Sequence, residues 1–339
     1  MITSRLIRLA IPALIAATVA GACSSSSKSS TPTTAAGAST TAAAKVSGTL
    51  NGSGSTFQAA YNQVAIQNFQ QANSGATINY QGKGSGAGQT DLANQVVQFA
   101  GSDVPVPAAS QSSFKGGSVL YFPTVLGPIT VSYNLSGVSS LKLSAPTIAK
   151  IFSLKITTWN DPAIAADGNS GLPNTAITVV HRSDSSGTTA NFTSFLVKAD
   201  ATDWTLGTGK TINWAGNTVA GNGNTGVANA IKGKSGAIGY VDATLAGASA
   251  AAASATVNAN LTFDPIWATG ADSYPITSPT YIITYAKNSS AGTVALLQAF
   301  LNYILSSDGQ KLAGTVDFSA LPSSLDQKAA AQVSQIATG

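Results

Sequence analysis

Residues 179–192, which read VVHRSDSSGTTANF, decide the fold class of this chain. The apolar, β-branched run from Ala176 to His181 predicts a buried strand, and the apolar spacing from Thr188 to Lys198 predicts a helix. Only a short loop of small polar residues around Gly187 separates the two. A strand that passes through such a loop directly into a helix is the building unit of α/β folds.

Two more junctions have the same composition: LNGSGSTFQAA at residues 50–60 and YQGKGSGAGQTDL at residues 80–92. A strand is predicted before each of them, at 45–50 and 76–80, and a helix is predicted over residues 56–72 after the first. The alternation of strands and helices favours an α/β fold with a largely parallel sheet.

The remaining patterns predict a second α/β unit after a long β-rich stretch. That stretch runs from Val119 to Tyr133 and is broken by Pro123 and Pro128. Ser144 is placed to cap the next helix. Further strands are predicted at 97–100, 235–241 and 281–285, and further helices around Leu92 to Val97, around Ile148, over 293–304 and from Asp326.

The three junctions carry the chemistry that an anion site needs. The first N–H groups of a helix have no partner within the helix and lie at the positive end of its dipole. Glycines let an anion approach these N–H groups, and Ser or Thr hydroxyls add further donors. Because open α/β sheets bind ligands at the carboxyl ends of their strands, three such junctions can surround one oxyanion.

Arg182 is the only arginine after residue 8, and all the other Lys or Arg residues after that position are lysines. Its planar guanidinium has five donors and can hold two oxygens of a tetrahedral anion. Asp184 lies two residues later, where its carboxylate can orient the guanidinium. A strand-to-helix loop that contains Arg182 therefore predicts an oxyanion site.

Asp103, in FAGSDVP at residues 99–105, lies at the end of a predicted strand. A carboxylate beside an anion site repels the ligand unless the ligand carries a proton. Phosphate near neutral pH is protonated, whereas sulfate is not. An ionised Asp103 therefore accepts a hydrogen bond from phosphate. With sulfate, the lone pairs of the carboxylate would face the lone pairs of a sulfate oxygen, with no proton between them. The alternative is that Asp103 only caps the turn before Pro105.

The first residues have the features of an export signal. Arg5 and Arg8 precede an apolar run from Leu9 to Val19, which is shorter than the roughly 20 residues that a membrane-spanning helix needs. Small residues and then Cys23 follow, so the pattern resembles a bacterial lipoprotein signal with Cys23 as the lipidated first residue. Residues 24–45 are almost all Ser, Thr, Ala and Gly, which predicts a tether.

The composition excludes several classes of function. Only 9% of residues are charged, against about 25% in a typical globular protein, and the formal net charge is +4. Loss of the leader lowers it to +2, because the leader carries two arginines and no acid. No basic stripe is interleaved with aromatic residues, so nucleic acid is not predicted as a partner. With Cys23 as the only cysteine, we predict no disulfide within the chain and no Cys-based metal site. No motif indicates another metal site or a cofactor, and we predict neither.

From about residue 46 to residue 330, the chain resembles the phosphate-binding subunit of Pst-type ABC transporters. The motifs that carry the resemblance are GSGSTF at 52–57, YQGKGSGAG at 80–88, FAGSDVP at 99–105, VHRSDSSGTT at 180–189, AIGYVDA at 237–243, YPITSPTYI at 274–282 and DFSALP at 317–322. The resemblance implies a protein that binds inorganic phosphate with high affinity, delivers it to an ABC importer and is not an enzyme.

The resemblance also assigns roles to particular residues. Asp103 would exclude sulfate, Asp184 would pair with Arg182, and Phe57 would donate through its backbone N–H. The residues that would contact phosphate are Ser55, Thr56, Phe57, Ser85, Asp103, Arg182, Ser186, Gly187 and Thr188.

The family fold is the type II periplasmic-binding-protein fold, in which two α/β domains are joined by a hinge that the chain crosses twice. The implied organisation is a lipoprotein signal peptide at 1–22, a tether at 23–45, domain I at 46–130 and 266–339, and domain II at 131–265. Phosphate would lie between the domains.

The implied partners are the permease, contacted directly, the ATPase subunits, and the membrane through the lipid on Cys23. The protein would be a monomer, exported and held at the outer face of the cell membrane or in the periplasm.

Three alternatives stay open at this point. The loop residues His181, Asp184 and Ser186 suggest a hydrolytic triad, but residues within six positions of one loop cannot easily stack as nucleophile, base and orienting group. A binding protein for sulfate or molybdate would favour neutral donors, and Asp103 beside Arg182 argues against it. An adhesin or sensor that keeps the fold without transport is the third alternative.

Overall fold

The computed structural model describes residues 46–246, 261, 262, 266 and 274–339. The predicted signal peptide, Cys23 and the tether lie outside these residues. These described residues belong to one compact unit. Within the described part of the chain, no helix combines the length and the apolar character that a membrane span requires.

The centre of the fold is an eight-stranded sheet with the strand order β2-β1-β3-β8-β4-β7-β5-β6. β1 pairs in parallel with β2 and β3, and β5 with β6 and β7, whereas β4 and β8 are antiparallel to all of their neighbours. The sheet is therefore mixed, which corrects the prediction of a largely parallel one. The strands are β1 (Ser47–Gly54), β2 (Gly75–Gly82), β3 (Phe99–Ser102), β4 (Val119–Asn134), β5 (Thr178–Arg182), β6 (Val219–Gly221), β7 (Ala237–Asp242) and β8 (Thr277–Tyr285), with β9 (Lys287–Asn288) and β10 (Ala337–Thr338) as a separate pair.

β4 is a long strand that joins two halves of the sheet. It pairs with β8 up to Pro128 and with β7 from Ile129 onward. We call β2, β1, β3 and β8, with the loops and helices that follow them, the first half. We call β7, β5 and β6, with the loops and helices that follow them, the second half, and β4 is shared. The prediction that Pro123 and Pro128 break this stretch is wrong. A shift in register between Pro123 and Val125 accommodates the first proline, and β4 changes its partner strand directly after the second.

Serine side chains begin four of the helices. The hydroxyls of Ser144, Ser186, Ser290 and Ser306 each accept a hydrogen bond from the backbone N–H three residues later, and the predicted cap at Ser144 is thereby confirmed. The helices are α1 (Ala59–Ala72), α2 (Ser85–Ala93), α3 (Ala145–Phe152), α4 (Pro162–Ala166), α5 (Gly187–Ala199), α6 (Gly223–Gly233), α7 (Ala243–Ala246), α8 (Ala291–Ile304), α9 (Ser307–Lys311) and α10 (Ser323–Gln332).

Two aromatic clusters hold helices against the strands. The first joins α1, β3 and α8, and the second joins α3, α5 and β7, each with ring centroids 4.4–6.1 Å apart. Such contacts fix the helices relative to the strand ends that they follow. The members are Phe69, Phe99 and Phe300 in the first cluster and Phe152, Phe192 and Tyr240 in the second.

Two segments differ from the sequence prediction. α2 ends at Ala93, and Val96 is 63% exposed in a turn, so the apolar spacing from Leu92 to Val97 does not extend the helix. β6 and α6 were not predicted. The segment from Gly216 to Gly226 is rich in Gly and Asn, which have low helix propensity, so its secondary structure comes from packing against β5 and β7.

Candidate functional site

The carboxyl ends of β1 and β3 lie next to each other and bring three predicted site residues together. Ser55 follows β1, Asp103 follows β3, and Ser85 begins α2. The backbone N–H of Ser55 donates to the carbonyl of Gly101 at 2.8 Å. A Cβ atom on Gly54, whose φ is +141°, would come within 2.8 Å of the Gly101 nitrogen, so this close approach requires glycine.

Asp103 is a buried carboxyl group held by three hydroxyls. Its Oδ1 accepts hydrogen bonds from Ser55 Oγ at 2.5 Å and Thr280 Oγ1 at 3.0 Å, and its Oδ2 accepts one from Ser85 Oγ at 3.2 Å. Burial raises the pKa of Asp103 to about 6, and the three hydrogen bonds and the charge of Arg182 oppose that rise. At neutral pH the group is therefore mostly an ionised acceptor.

Arg182 ends β5 with its side chain only 1% exposed and paired to Asp184, as the sequence predicted. Its Nε donates to Asp184 Oδ1 at 2.7 Å, its Nη2 donates to Asp184 Oδ2, and its Nη1 donates to Thr188 Oγ1 at 3.3 Å. Burial raises the pKa of Asp184, but the hydrogen bonds and charge of Arg182 outweigh that effect and hold it below its ordinary value. These hydrogen bonds hold the guanidinium group in place, and Nη1 and Nη2 each retain a second hydrogen.

Gly187 brings the start of α5 directly against Asp103. A Cβ atom at this position would lie 2.7 Å from Asp103 Oδ2, too close for any larger residue without a shift. Ser186 caps the helix, because its Oγ accepts the Thr189 N–H at 3.1 Å, and its own hydroxyl hydrogen remains able to donate. The free N–H end of α5 therefore lies beside the Asp103 carboxyl.

Thr56 and Thr188 come from opposite halves and share one hydrogen-bond partner. The Asn224 side-chain amide donates to Thr56 Oγ1 at 3.2 Å and to Thr188 Oγ1 at 3.4 Å. Phe57 is arranged differently from its predicted role, because its N–H donates to Ser55 Oγ at 3.0 Å. That backbone donor is already satisfied by the protein.

Direct contacts between the two halves enclose this cluster. The Gly86 N–H at the start of α2 donates to the Ser185 carbonyl at 2.9 Å. The Lys210 ammonium, from the loop after α5, donates to Gln89 Oε1 on α2. Lys210 has no carboxylate partner in the described part of the chain, and burial lowers its pKa.

The arrangement combines donors with one acceptor. The donors are the Arg182 fork, the start of α5 and the hydroxyls of Thr56, Thr188 and Ser186, and the acceptor is the Asp103 carboxylate. Such a site fits a small oxyanion that brings a proton of its own. Among the described residues, no three His, Cys, Asp or Glu side chains group as ligands for a metal ion.

The sequence patterns do not identify three side chains of the site. Thr280 donates to Asp103 Oδ1, Asn191 Nδ2 donates to the Asp103 carbonyl at 2.9 Å, and Asn224 joins the two threonines. Thr280 lies in the motif at 274–282, but no feature of that motif marks it. Neutral polar residues are common in this chain, so their types alone give no signal.

The geometry contradicts the hydrolytic triad. The two ring nitrogens of His181 face the Arg182 carbonyl at 2.9 Å and Thr218 Oγ1 at 3.0 Å, and the ring stacks on Trp214. Ser186 instead uses its hydroxyl oxygen to cap α5. His181 is therefore not placed as a base for Ser186.

Comparison with known proteins gives relatives along most of the described chain. A family model described as a PBP superfamily domain matches residues 39–308. Phosphate-binding protein PstS 3 of Mycobacterium tuberculosis is 46% identical over 167 residues, which cover 48% of this chain and 45% of that protein. Phosphate-binding protein PstS of Pasteurella multocida is 39% identical over 172 residues, which cover 49% and 48%. The chain thus aligns with about half the length of these curated relatives.

Two solved structures show the same fold. One is a high-affinity periplasmic phosphate-binding protein, PfluDING, bound with phosphate, with a TM-score of 0.68 and 22% identity over 84% of this chain and 94% of that chain. The other is a putative phosphate ABC transporter substrate-binding protein with bound phosphate from Clostridium perfringens, with a TM-score of 0.60 and 18% identity over 81% and 100%. The predicted α/β class and type II periplasmic-binding-protein fold are confirmed. Because the family model matches more than half of this chain, the chain belongs to the PBP superfamily.

Proposed function

We propose that the protein binds inorganic phosphate between the two halves of its sheet and delivers it to an ABC importer. Phosphate would be held by Arg182 and by hydroxyl and backbone donors from the strand-to-helix junctions, and Asp103 would exclude sulfate. The predicted contact residues are Ser55, Thr56, Phe57, Ser85, Asp103, Arg182, Ser186, Gly187 and Thr188. The Ser55 and Ser85 hydroxyls and the Phe57 N–H already donate within the protein, so these three would contact phosphate only by exchanging those bonds.

The observation that carries this proposal is the Asp103 carboxyl group buried against the start of α5. A site for a fully deprotonated anion would gain nothing from a carboxylate beside Gly187 and Arg182. A protonated oxyanion turns that carboxylate into a hydrogen-bond acceptor, so the same group attracts phosphate and repels sulfate. The names of the relatives, which are phosphate-binding proteins, support the same ligand.

The donors are sufficient in number for tight binding. The charges of Arg182 and Asp184 offset each other, so most of the attraction must come from hydrogen bonds and the dipole of α5. Charge-assisted hydrogen bonds contribute roughly 1.5–3 kcal/mol each, and micromolar affinity requires roughly 8 kcal/mol. Four to five such bonds therefore provide micromolar or tighter binding.

The remaining parts of the proposal concern organisation and location. Residues 46–130 and 266–339 would form domain I and residues 131–265 domain II, which agrees with the division of the sheet at β4. Cys23 would carry a lipid that holds the exported monomer at the membrane, where it contacts the permease directly. Labelling with a radioactive fatty acid tests the anchor, and loss of label in Cys23→Ala is the expected result.

Titration calorimetry of the purified protein with phosphate and with sulfate at neutral pH tests the proposed ligand. Saturable phosphate binding without sulfate binding is the expected result. Equal binding of both anions would overturn the selectivity, and binding of neither would overturn the function. A phosphate ester added to the same protein is expected to remain unhydrolysed.

A further inference from the structure

Asn224 is a buried side chain that reaches both halves of the structure. It is the second residue of α6, is 1% exposed, and belongs to the second half. Its backbone N–H and its side-chain Nδ2 both donate to Thr56 Oγ1 of the first half at 3.2 Å. The same Nδ2 donates to Thr188 Oγ1 on α5 at 3.4 Å.

These contacts fix the direction of two hydroxyl groups. A threonine hydroxyl has two lone pairs and one hydrogen. Thr56 Oγ1 accepts two N–H groups from Asn224, and Thr188 Oγ1 accepts one from Asn224 and one from Arg182. With both lone pairs used, each hydroxyl must direct its hydrogen to another acceptor. Neither hydroxyl donates to any group in the described part of the chain.

Asn224 contributes to the site only as a hydrogen-bond donor. Its Oδ1 is buried and has no hydrogen-bond partner in the described structure. Its Nδ2 and its backbone N–H make all of its contacts with the site. An acceptor in the place of Nδ2 would attract the two hydroxyl hydrogens and turn them away from a ligand.

We propose that Asn224 is the positioning residue of the anion site, which holds Thr56 and Thr188 as hydrogen-bond donors toward the bound phosphate and links the two halves around it. This inference rests on the proposed function. Asn224 acts through the two threonines, so removing its donor changes what they offer to the ligand even where the fold is unchanged.

Asn224→Asp is the diagnostic variant, because it keeps the size of the side chain and exchanges the donor for acceptors. Each hydroxyl bond to a charged ligand is worth roughly tenfold in affinity, so loss of two predicts a phosphate Kd raised about 100-fold. Asn229→Asp adds the same charge to an exposed position of the same helix and is expected to change Kd less than about 3-fold, since exposed charges are screened. Asn224→Ala separates the loss of the donor from the added charge, and about a 10-fold effect is expected for it.

A double-mutant cycle separates positioning from mere packing. Thr56→Val removes one of the two hydroxyls on which Asn224 acts, so Asn224→Ala is expected to weaken phosphate binding less in the Thr56→Val background than in the wild type. Thermal unfolding of each variant is measured in parallel. If Asn224→Asp fails to fold, Asn224→Ala and the cycle decide the matter.

The outcomes also separate this inference from the proposed function. A wild type that binds no phosphate overturns the function and the inference together. A wild type that binds phosphate, with Asn224→Ala and Asn224→Asp binding it equally well, overturns the inference alone. Strictly additive effects of Thr56→Val and Asn224→Ala would likewise overturn it, because a residue that acts through Thr56 cannot be independent of Thr56.

Discussion

The hydroxyl of Ser55 donates a 2.5 Å hydrogen bond to Oδ1 of Asp103, and this bond joins the ends of β1 and β3 inside the protein. Ser85 and Thr280 donate to the same carboxyl group from α2 and β8. A carboxylate fixed by three hydroxyls cannot rotate away from an incoming anion. Under the proposed function, Asp103 would decide which anions enter, whereas Arg182 would attract any of them.

Asp103→Asn is expected to weaken the exclusion of sulfate while phosphate still binds. An amide can turn its NH₂ group toward a sulfate oxygen, which an ionised carboxylate cannot do. Calorimetry with both anions measures the ratio of affinities, and Asp308→Asn, at an exposed position, is the control. Sulfate exclusion that survives in Asp103→Asn would rule out this role.

The raised pKa of Asp103 predicts a pH dependence of stability in the ligand-free protein. Its pKa is about 6 in the folded protein and 3.8 ordinarily, so the folded protein binds the proton more tightly than the unfolded chain. The contribution of Asp103 to stability therefore falls as pH rises from about 4 to about 6, by about 3 kcal/mol in total. Urea unfolding of the wild type and Asp103→Asn over this range isolates the effect as the difference between the two curves. Parallel curves would contradict it.

Arg182→Ala is expected to cost both affinity and stability. It leaves Asp184 buried without its partner, and breaking a buried ion pair in this way costs about 3–5 kcal/mol of unfolding free energy. Phosphate affinity should fall about 100-fold or more. Arg182→Lys keeps the charge but not the fork, so it should recover only part of the loss. Near-native phosphate affinity in Arg182→Ala, measured by calorimetry, would refute its assignment to the site.

Gly187→Ala tests the contact between α5 and Asp103. The added Cβ would meet Ser85 Oγ and also Asp103 Oδ2, the latter at 2.7 Å, so we expect about a 10-fold or greater loss of phosphate affinity as α5 moves away from these groups. Gly292→Ala is the matched control, because it lies in the first turn of α8 with no atom within 4 Å of the added Cβ. An equal, small effect of both substitutions in phosphate titrations would show that the close approach is not needed.

Lys210→Met is expected to slow phosphate association and to reduce its dependence on salt. Lys210 crosses from the second half to Gln89 on α2 and carries a charge that no described carboxylate neutralises. A cation at this position attracts an anion as it approaches the site. Stopped-flow measurement at low and high ionic strength gives the rates, with the exposed Lys234→Met as control. An unchanged association rate in Lys210→Met would exclude steering by this residue.

Much of the fold and of the site could be predicted where the signals are local. The start of α5 was predicted correctly because Ser186 and Gly187 satisfy the cap and the helix start within a few residues. The helix that Ser144 caps was predicted for the same reason. The continuous course of β4 through Pro123 was not, because only pairing with β8 and a shift in register make a proline acceptable there.

The sequence by itself determined the alternation of strands and helices, the isolation of Arg182 and its pairing with Asp184, since those two residues are only two positions apart on one loop. Only the tertiary structure decided which neutral side chains complete the site. Thr280 lies 177 residues from Asp103, and Asn224 lies 168 residues from Thr56. Contacts over such separations depend on the order of strands in the sheet and on how its halves meet, which no local pattern of residues encodes.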